Sequence, residues 1–225
     1  GISEEALKKL TNELYDHFVT ELKKAGLNIT DGDAIIQEEY ASKQKEKGST
    51  IIEKGTGDPY KEKLGVLDQQ SYDTKERVYF RPAGKNIFIT TKTIPGTFYM
   101  KLASKENINL LSINYVIKFA GFEGSKSMSK NSLTTSANLT ILPTVNFTDP
   151  KGAYGWISFG KPIKGDDGWS NGLVKTDSQD GSYWGLSSSA DYAIEANESK
   201  YIAELKALVM AIQEDMAAAI KEELE

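Results

Sequence analysis

Residues 111–119 read LSINYVIKF, and residues 133–147 read LTTSANLTILPTVNF. In the first stretch Leu111, Ile113, Tyr115, Ile117 and Phe119 share one parity. Ser112, Asn114 and Lys118 share the other, with Val116 the exception. In the second, Leu133, Thr135, Ala137, Leu139, Ile141, Val145 and Phe147 share a parity, interrupted by Pro143. Successive side chains of a strand point to opposite faces. Period two over such lengths therefore predicts one face on a core and the other toward solvent. The two stretches are expected to pair as an antiparallel hairpin, with Gly121–Ser132 as linker. Its tip, Gly124–Asn131, holds Ser, Lys and Met128 without large hydrophobes, which suits a mobile hairpin end or a docking loop. Pro143 lacks an N–H for the ladder, so an edge position or a bend is expected there.

Two amphipathic helices flank this β span. Ser3 is a suitable N-cap, with Glu4 and Glu5 in the first turn, where acids suit the helix dipole. Leu7, Leu10, Leu14, Phe18 and Leu22 follow at spacings of three and four, one apolar stripe of an α-helix. Lys23 and Lys24 fit its last turn, and Gly26 fits an αL cap. At the other end, Ile202, Leu205, Val209, Ile212, Met216 and Ile220 form the face of a helix over 198–224. At 1.5 Å per residue it spans roughly 40 Å, about the reach of a twelve-residue strand. That length lets it cover the apolar face of the central strands.

The remaining segments are read as follows. Leu27–Thr30 is a short strand, and Asp33–Lys47 is a second helix carrying Ile35, Ile36 and Tyr40 inward. Gly48–Asp73 is irregular, with Ile51-Ile52 a short strand and Asp58-Pro59 opening a turn or a helical turn through Leu64. Val78–Phe80 and Ile87–Ile89 are strands about the turn Pro82-Ala83-Gly84. Phe98–Ala103 is a short helix or a strand. Ala153–Ile163 and Gly172–Trp184 are strands, with turns at Asp167-Gly168, Asn171-Gly172 and Asp180-Gly181. Ser187–Ser199 leads into the closing helix. The reading is one α/β domain, leaning to α+β, over residues 1–225. Its parts are a helical opening (1–47), an irregular excursion (48–76), a β-rich span (77–186) and a closing helix (187–225). The mixed, largely antiparallel sheet is expected to be covered by an N-terminal helix pair and the long C-terminal helix.

Composition narrows the function classes. The chain has 225 residues, with 39% hydrophobic and 26% charged, which is globular composition. Net charge is −5 and no Lys/Arg tract forms a phosphate-tracking patch, so nucleic acid is not an expected partner. No apolar run reaches membrane-spanning length. There is no cysteine, hence no disulfide, thiolate chemistry or cysteine metal site. A cysteine-free chain with Ser/Thr/Asn/Tyr-rich strands is more typical of an exported bacterial protein, periplasmic or on the cell surface, than of a cytosolic enzyme. Gly1 opens abruptly, as where a leader has been removed. N-x-S/T triplets at Asn28, Asn138, Asn146 and Asn197 matter only in a eukaryotic secretory setting.

Catalytic inventory is thin. His17, the single imidazole, lies beside the main stripe of the first helix, a boundary or surface position. A Ser–His–Asp or metal–His reading would have to pass through it. No phosphate-binding Gly loop is present, and the Gly-x-Gly of Gly55–Gly57 runs into Asp58-Pro59, a plain turn. Carboxylates such as Glu38/Glu39 and Glu222/Glu223 lie on helical faces, so nothing selects an acid pair for glycoside hydrolysis. Asp166, Asp167, Asp177 and Asp180 fall in Gly/Ser turns and are weak cation candidates, since the spacing matches no calcium loop. No cofactor is implied and no catalytic residue is assigned. One cluster invites a binding role: Tyr154, Trp156, Trp169, Tyr183 and Trp184, with Gly155, Gly168 and Gly185 beside them. Rigid rings on turns suit stacking on a sugar or a partner's side chain, and Trp169 is expected to be the exposed member.

The run Leu14, Phe18, Leu22, Lys23, Lys24, Ala25, Gly26, then Ile29 and Asp31, resembles a pattern in bacterial envelope proteins. With the strands at 111–119 and 133–147 and the helix from Tyr201 through Ile220, it is similar to α/β domains of the curli-secretion and LpoB-like lipoprotein type. The similarity spans about half the chain and departs in lacking the strand those domains place before the first helix. It implies an envelope-associated α/β module, and it carries no functional residue. The expected function is non-catalytic binding, scaffolding or assembly, with a protein or envelope glycan as partner. Two other readings stand beside it: a carrier of an apolar small ligand between sheet and closing helix, and a carboxylate-dependent glycan hydrolase.

Overall fold

The computed structural model describes residues 1–32, 34–35, 60–63, 76–83, 85, 95–119, 121–126, 131–136, 138–158, 161–165, 168–180 and 188–224. Helix α1 (Glu4–Lys24) starts at Ser3, whose Oγ accepts the Ala6 N–H at 3.2 Å. It ends in a Schellman motif. The Leu27 N–H reaches the Leu22 carbonyl and the Gly26 N–H the Lys23 carbonyl, both at 3.0 Å, with Gly26 at φ +90°. That backbone is left-handed, so Gly26→Ala is expected to cost about 1 kcal/mol even though its Cβ meets nothing. Urea denaturation checks this, and an unchanged midpoint refutes it.

After this cap residues 27–32 take no regular secondary structure, so Leu27–Thr30 is not a strand among the described residues. Leu27 and Ile29 lie on the main core, and the alternation there reflects one-sided packing alone. Of the expected helix at 33–47, residues 34–35 are helical and the rest lies outside the described residues. Two short strands, β1 (Tyr60–Lys63) and β2 (Glu76–Tyr79), pair antiparallel. This corrects the helical turn expected through Leu64. The register sets Glu62 across from Arg77 and Lys63 across from Glu76, positions of opposite charge.

 That complementarity shows only once the register is known.

Helix α2 (Pro95–Glu106) settles the open reading at Phe98–Ala103 as helix. Proline suits a first helical position, where its missing N–H is no loss. Asn107 then turns left-handed at φ +53°, a conformation asparagine tolerates better than most residues.

Strand β3 (Leu110–Lys118) pairs along its whole length with β6 (Thr140–Thr148), antiparallel, from Leu110↔Thr148 to Lys118↔Thr140. The expected hairpin is present, but its linker is itself a ladder. Strands β4 (Gly121–Lys126) and β5 (Asn131–Ser136) pair from Gly121↔Ser136 to Lys126↔Asn131, and the tip at 127–130 lies outside the described residues. Leu133–Phe147 is thus two strands, parted at 137–139.

On its other side β6 meets β7 (Tyr154–Ser158) over Thr144–Thr148, and β8 (Ile163–Lys164) over Thr140–Ile141. The single strand expected over Ala153–Ile163 is these two. It follows that β6 is central, so Pro143 does not mark an edge. The proline sits instead in the interval between β8 and β7, where that side of the ladder is already interrupted.

The last sheet is a hairpin of β9 (Ser170–Asp180) and β10 (Ser188–Ala196). Ser188–Ala196 is a strand, which corrects the reading of Ser187–Ser199 as a lead-in to the helix. Ala190, Tyr192, Ile194 and Ala196 do alternate there, but alanine and serine make the signal faint. Asn171-Gly172 is not a turn either. Ser170 pairs with Ala196 and Gly172 with Glu195, so Asn171 is an extra residue in a bulge. Gly172 takes φ +119° within it.

Helix α3 (Glu198–Leu224) closes the chain. Its contacts with α1 advance together: Glu198 accepts the Ser3 N–H at 2.6 Å, Lys206 donates to Glu13 at 2.7 Å, and Gln213 donates to the Leu14 carbonyl at 2.9 Å. The two helices therefore run parallel. Both lie on one face of the sheet. Leu10, Leu14, Phe18 and Leu22 from α1, Leu205, Val209, Ile212, Met216 and Ile220 from α3, and Leu139, Ile141 and Val145 share one buried cluster. Leu111, Ile113, Tyr115 and Ile117 of β3 pack against it, which is the parity read from the sequence. Leu110, of opposite parity, joins Leu102 and Ala103 of α2 in a second cluster with Ile35, Tyr99 and Ile108. The covering thus differs from the expected one. Helix α1 pairs with α3 on one face, and α2 takes the other face at the Leu110/Thr148 end. Among the described residues no helix is long and apolar enough to cross a membrane.

Candidate functional site

Trp169 and Tyr154 are the aromatics of the expected platform whose side chains the structure describes, and Trp169 is a core residue. It is 3% exposed. Its indole N–H donates to the Phe119 carbonyl at 3.0 Å. The ring meets Tyr201 edge-on at 5.3 Å and Phe119 at 6.3 Å between centroids. Its carbonyl accepts the Asn197 N–H at 3.1 Å. Asn197 is in turn the N-cap of α3, with Oδ1 accepting the Lys200 N–H at 3.1 Å. Trp169 therefore ties together the end of β3, the start of β9 and the first turn of α3. The expectation that it is exposed is corrected: an amphipathic ring with its N–H satisfied is better buried than stacked in water. Burial also pushes the Tyr201 hydroxyl up to about 12.

The other platform residues are not brought to this point. Tyr154, half-buried on β7, donates its hydroxyl to Asn146 Oδ1 at 3.1 Å. Trp156 is on β7 at the register position of Asn146, but its side chain lies outside the described residues, as do Tyr183 and Trp184 altogether. Of the weak cation candidates, Asp166 and Asp167 lie outside the described residues. Asp177 and Asp180 are in β9, at register positions opposite Asp191 and Ser188, which removes them from the turns assumed for them. Among the described residues no group of three His, Cys, Asp or Glu is placed to hold a metal ion.

What Trp169 supports is exposed. Phe119 is 51% exposed on top of it, and Val116, three residues earlier, is 41% exposed. Val174, further along β9, is 47% exposed. A large ring half in water yet stacked on a buried one is a fixed apolar surface, because its support has no freedom to move.

The polar groups of the core serve another purpose. Gln213, 1% exposed, donates Nε2 to the Leu14 carbonyl, and its Oε1 lies 2.8 Å from His17 Nδ1. An amide oxygen only accepts, so the Nδ1 of His17 holds the proton in this contact. Its Nε2 lies 3.7 Å from Glu21 and 3.8 Å from Glu214. His17 is thereby a clasp between α1 and α3. Burial pushes the Tyr115 hydroxyl upward, with Gln213 offsetting part of the shift. Gln213 was legible in principle, as a polar residue at the i, i+4 position after Val209 on an apolar stripe. Sequence reasoning passed over it because neighbouring Ile212 continues that stripe. No family model, curated protein or solved structure matches the chain.

Proposed function

We propose that this chain is an exported or envelope-associated bacterial protein that works by binding, scaffolding or assembly without catalysis. The observation that carries this reading is Phe119, exposed and held edge-on against buried Trp169. A partner meeting this surface gains apolar burial without having to order the residues that provide it. The partner class is a protein or an envelope glycan.

Two further features support it. The contact between α3 and the sheet is sealed, with Leu139, Ile141, Val145, Leu205, Val209, Ile212 and Met216 all at most 3% exposed. A carrier of an apolar ligand would have to open that seal. Among the described residues no Asp or Glu is buried as a whole residue, and the buried Oε1 of Glu204 does not by itself make a desolvated acid pair. The resemblance to curli-secretion and LpoB-like envelope domains and the cysteine-free, Ser/Thr-rich strands accord with export.

The test is site-specific photocrosslinking in the native host, with a benzophenone amino acid at position 119, at 116, or at the exposed Glu222 of α3. The expected result is one discrete adduct from 119, and none from 222 or from 116, whose strand parity is the opposite one, in the envelope fraction. Identical patterns from all three positions would sink the proposal.

A further inference from the structure

Arg81, just after β2, is 4% exposed. Its Nε, Nη1 and Nη2 are all buried, and none has a hydrogen-bond partner among the described residues. A guanidinium carries its charge and five N–H donors wherever it lies. Buried charges in folded proteins are paired or meet a ligand, because an isolated one is far worse off than in water.

The neighbouring charges are already matched. Arg81 leads into a turn in which the Lys85 N–H meets the Pro82 carbonyl at 3.1 Å. The turn is docked on α1, where Asn12 Oδ1 accepts the Ala83 N–H at 2.7 Å and Lys85 Nζ sits 5.2 Å from the centre of the Tyr15 ring. Lys85 is ion-paired with Asp31. The strap that holds Arg81 is therefore fixed to the helix, and among the described residues the guanidinium has no hydrogen-bond partner.

We propose that Arg81 anchors a binding site for a small carboxylate. The guanidinium fork matches a carboxylate through two parallel N–H···O bonds. One negative charge balances it, whereas a phosphate dianion would leave a net negative charge in the same buried place. The site is separate from the Phe119 surface, so it stands or falls independently of the proposal made there.

The experiment is thermal unfolding of the purified full chain at constant ionic strength, with acetate, succinate or inorganic phosphate replacing chloride. Binding of ¹³C-acetate is followed by NMR on the same samples. Wild type is expected to show a saturable rise in Tm with carboxylate and line broadening of acetate, both absent in Arg81→Met. In chloride alone Arg81→Met should be at least as stable as wild type, since it removes an unpaired buried charge. Arg81→Lys, which keeps the charge but loses the fork, should bind acetate about tenfold more weakly or worse. No response of the wild type to any carboxylate overturns the site. So does a response that Arg81→Met retains, or a loss of folding in Arg81→Met, which would show an internal partner for the guanidinium. A larger response to phosphate than to acetate overturns the carboxylate assignment.

Discussion

Val209→Asp is expected to leave the chain largely unfolded at room temperature. Val209 is fully buried at the middle of α3, in the cluster shared by both long helices and the central strands. The substitution forfeits about 1.5–3 kcal/mol of apolar burial. It also places a carboxylate where the surrounding buried side chains are apolar, an added penalty of several kcal/mol. Together these are comparable with a whole domain's stability of about 5–15 kcal/mol. Far-UV circular dichroism and urea titration read the outcome. Ala207→Asp, on the exposed side of the same helix, is the control and should shift stability by no more than about 0.5 kcal/mol. A cooperative transition in Val209→Asp with a midpoint near that of the wild type would show that α3 is not seated on the sheet as described.

Trp169→Ala is expected to cost about 3–5 kcal/mol, the range for removing a buried indole. The loss has two parts. The larger is the cavity left beneath Phe119 and beside Tyr201. The smaller is the two edge-to-face contacts, about 0.5–1.5 kcal/mol each. The lost N–H bond to Phe119 adds little, because that carbonyl belongs to an exposed residue and water can replace the donor. Trp169→Phe keeps a ring in the site and should therefore cost clearly less than alanine. Urea denaturation separates the two. Near-equal losses in both variants would mean that the hydrogen bond, and not the ring packing, holds this joint. Where Trp169→Ala remains folded, the 119 crosslink should weaken, since Phe119 loses its support.

The two long helices were readable to within a residue because each carries a cap and a stripe of large side chains at helical spacing. Such signals are local and need no partner. The strands were harder. Leu111–Phe119 was clear because Leu, Ile and Tyr alternate with Ser, Asn and Lys. Ser188–Ala196 was missed because its alternating residues are mostly small. Pro143 was misplaced for a different reason. An imino acid shows that a ladder bond is missing, but not whether the strand is at an edge or faces an interval between two partners. The candidate site followed the same division. Clustering of aromatics in the sequence pointed to the region of Trp169, yet the exposed ring proved to be Phe119, from a strand that ends fifty residues earlier.

By itself the sequence determined the class of the fold, the extent of α1 and α3, and which parity of β3 faces the core, since these depend on periodicity and on caps within each segment. Only the tertiary structure decided that α1 and α3 lie parallel on one face with α2 on the other. It alone made β6 the central strand, buried Trp169 under Phe119, joined His17 to Gln213, and buried Arg81 with no hydrogen-bond partner among the described residues. All of these depend on which distant residues meet, and no local pattern records that.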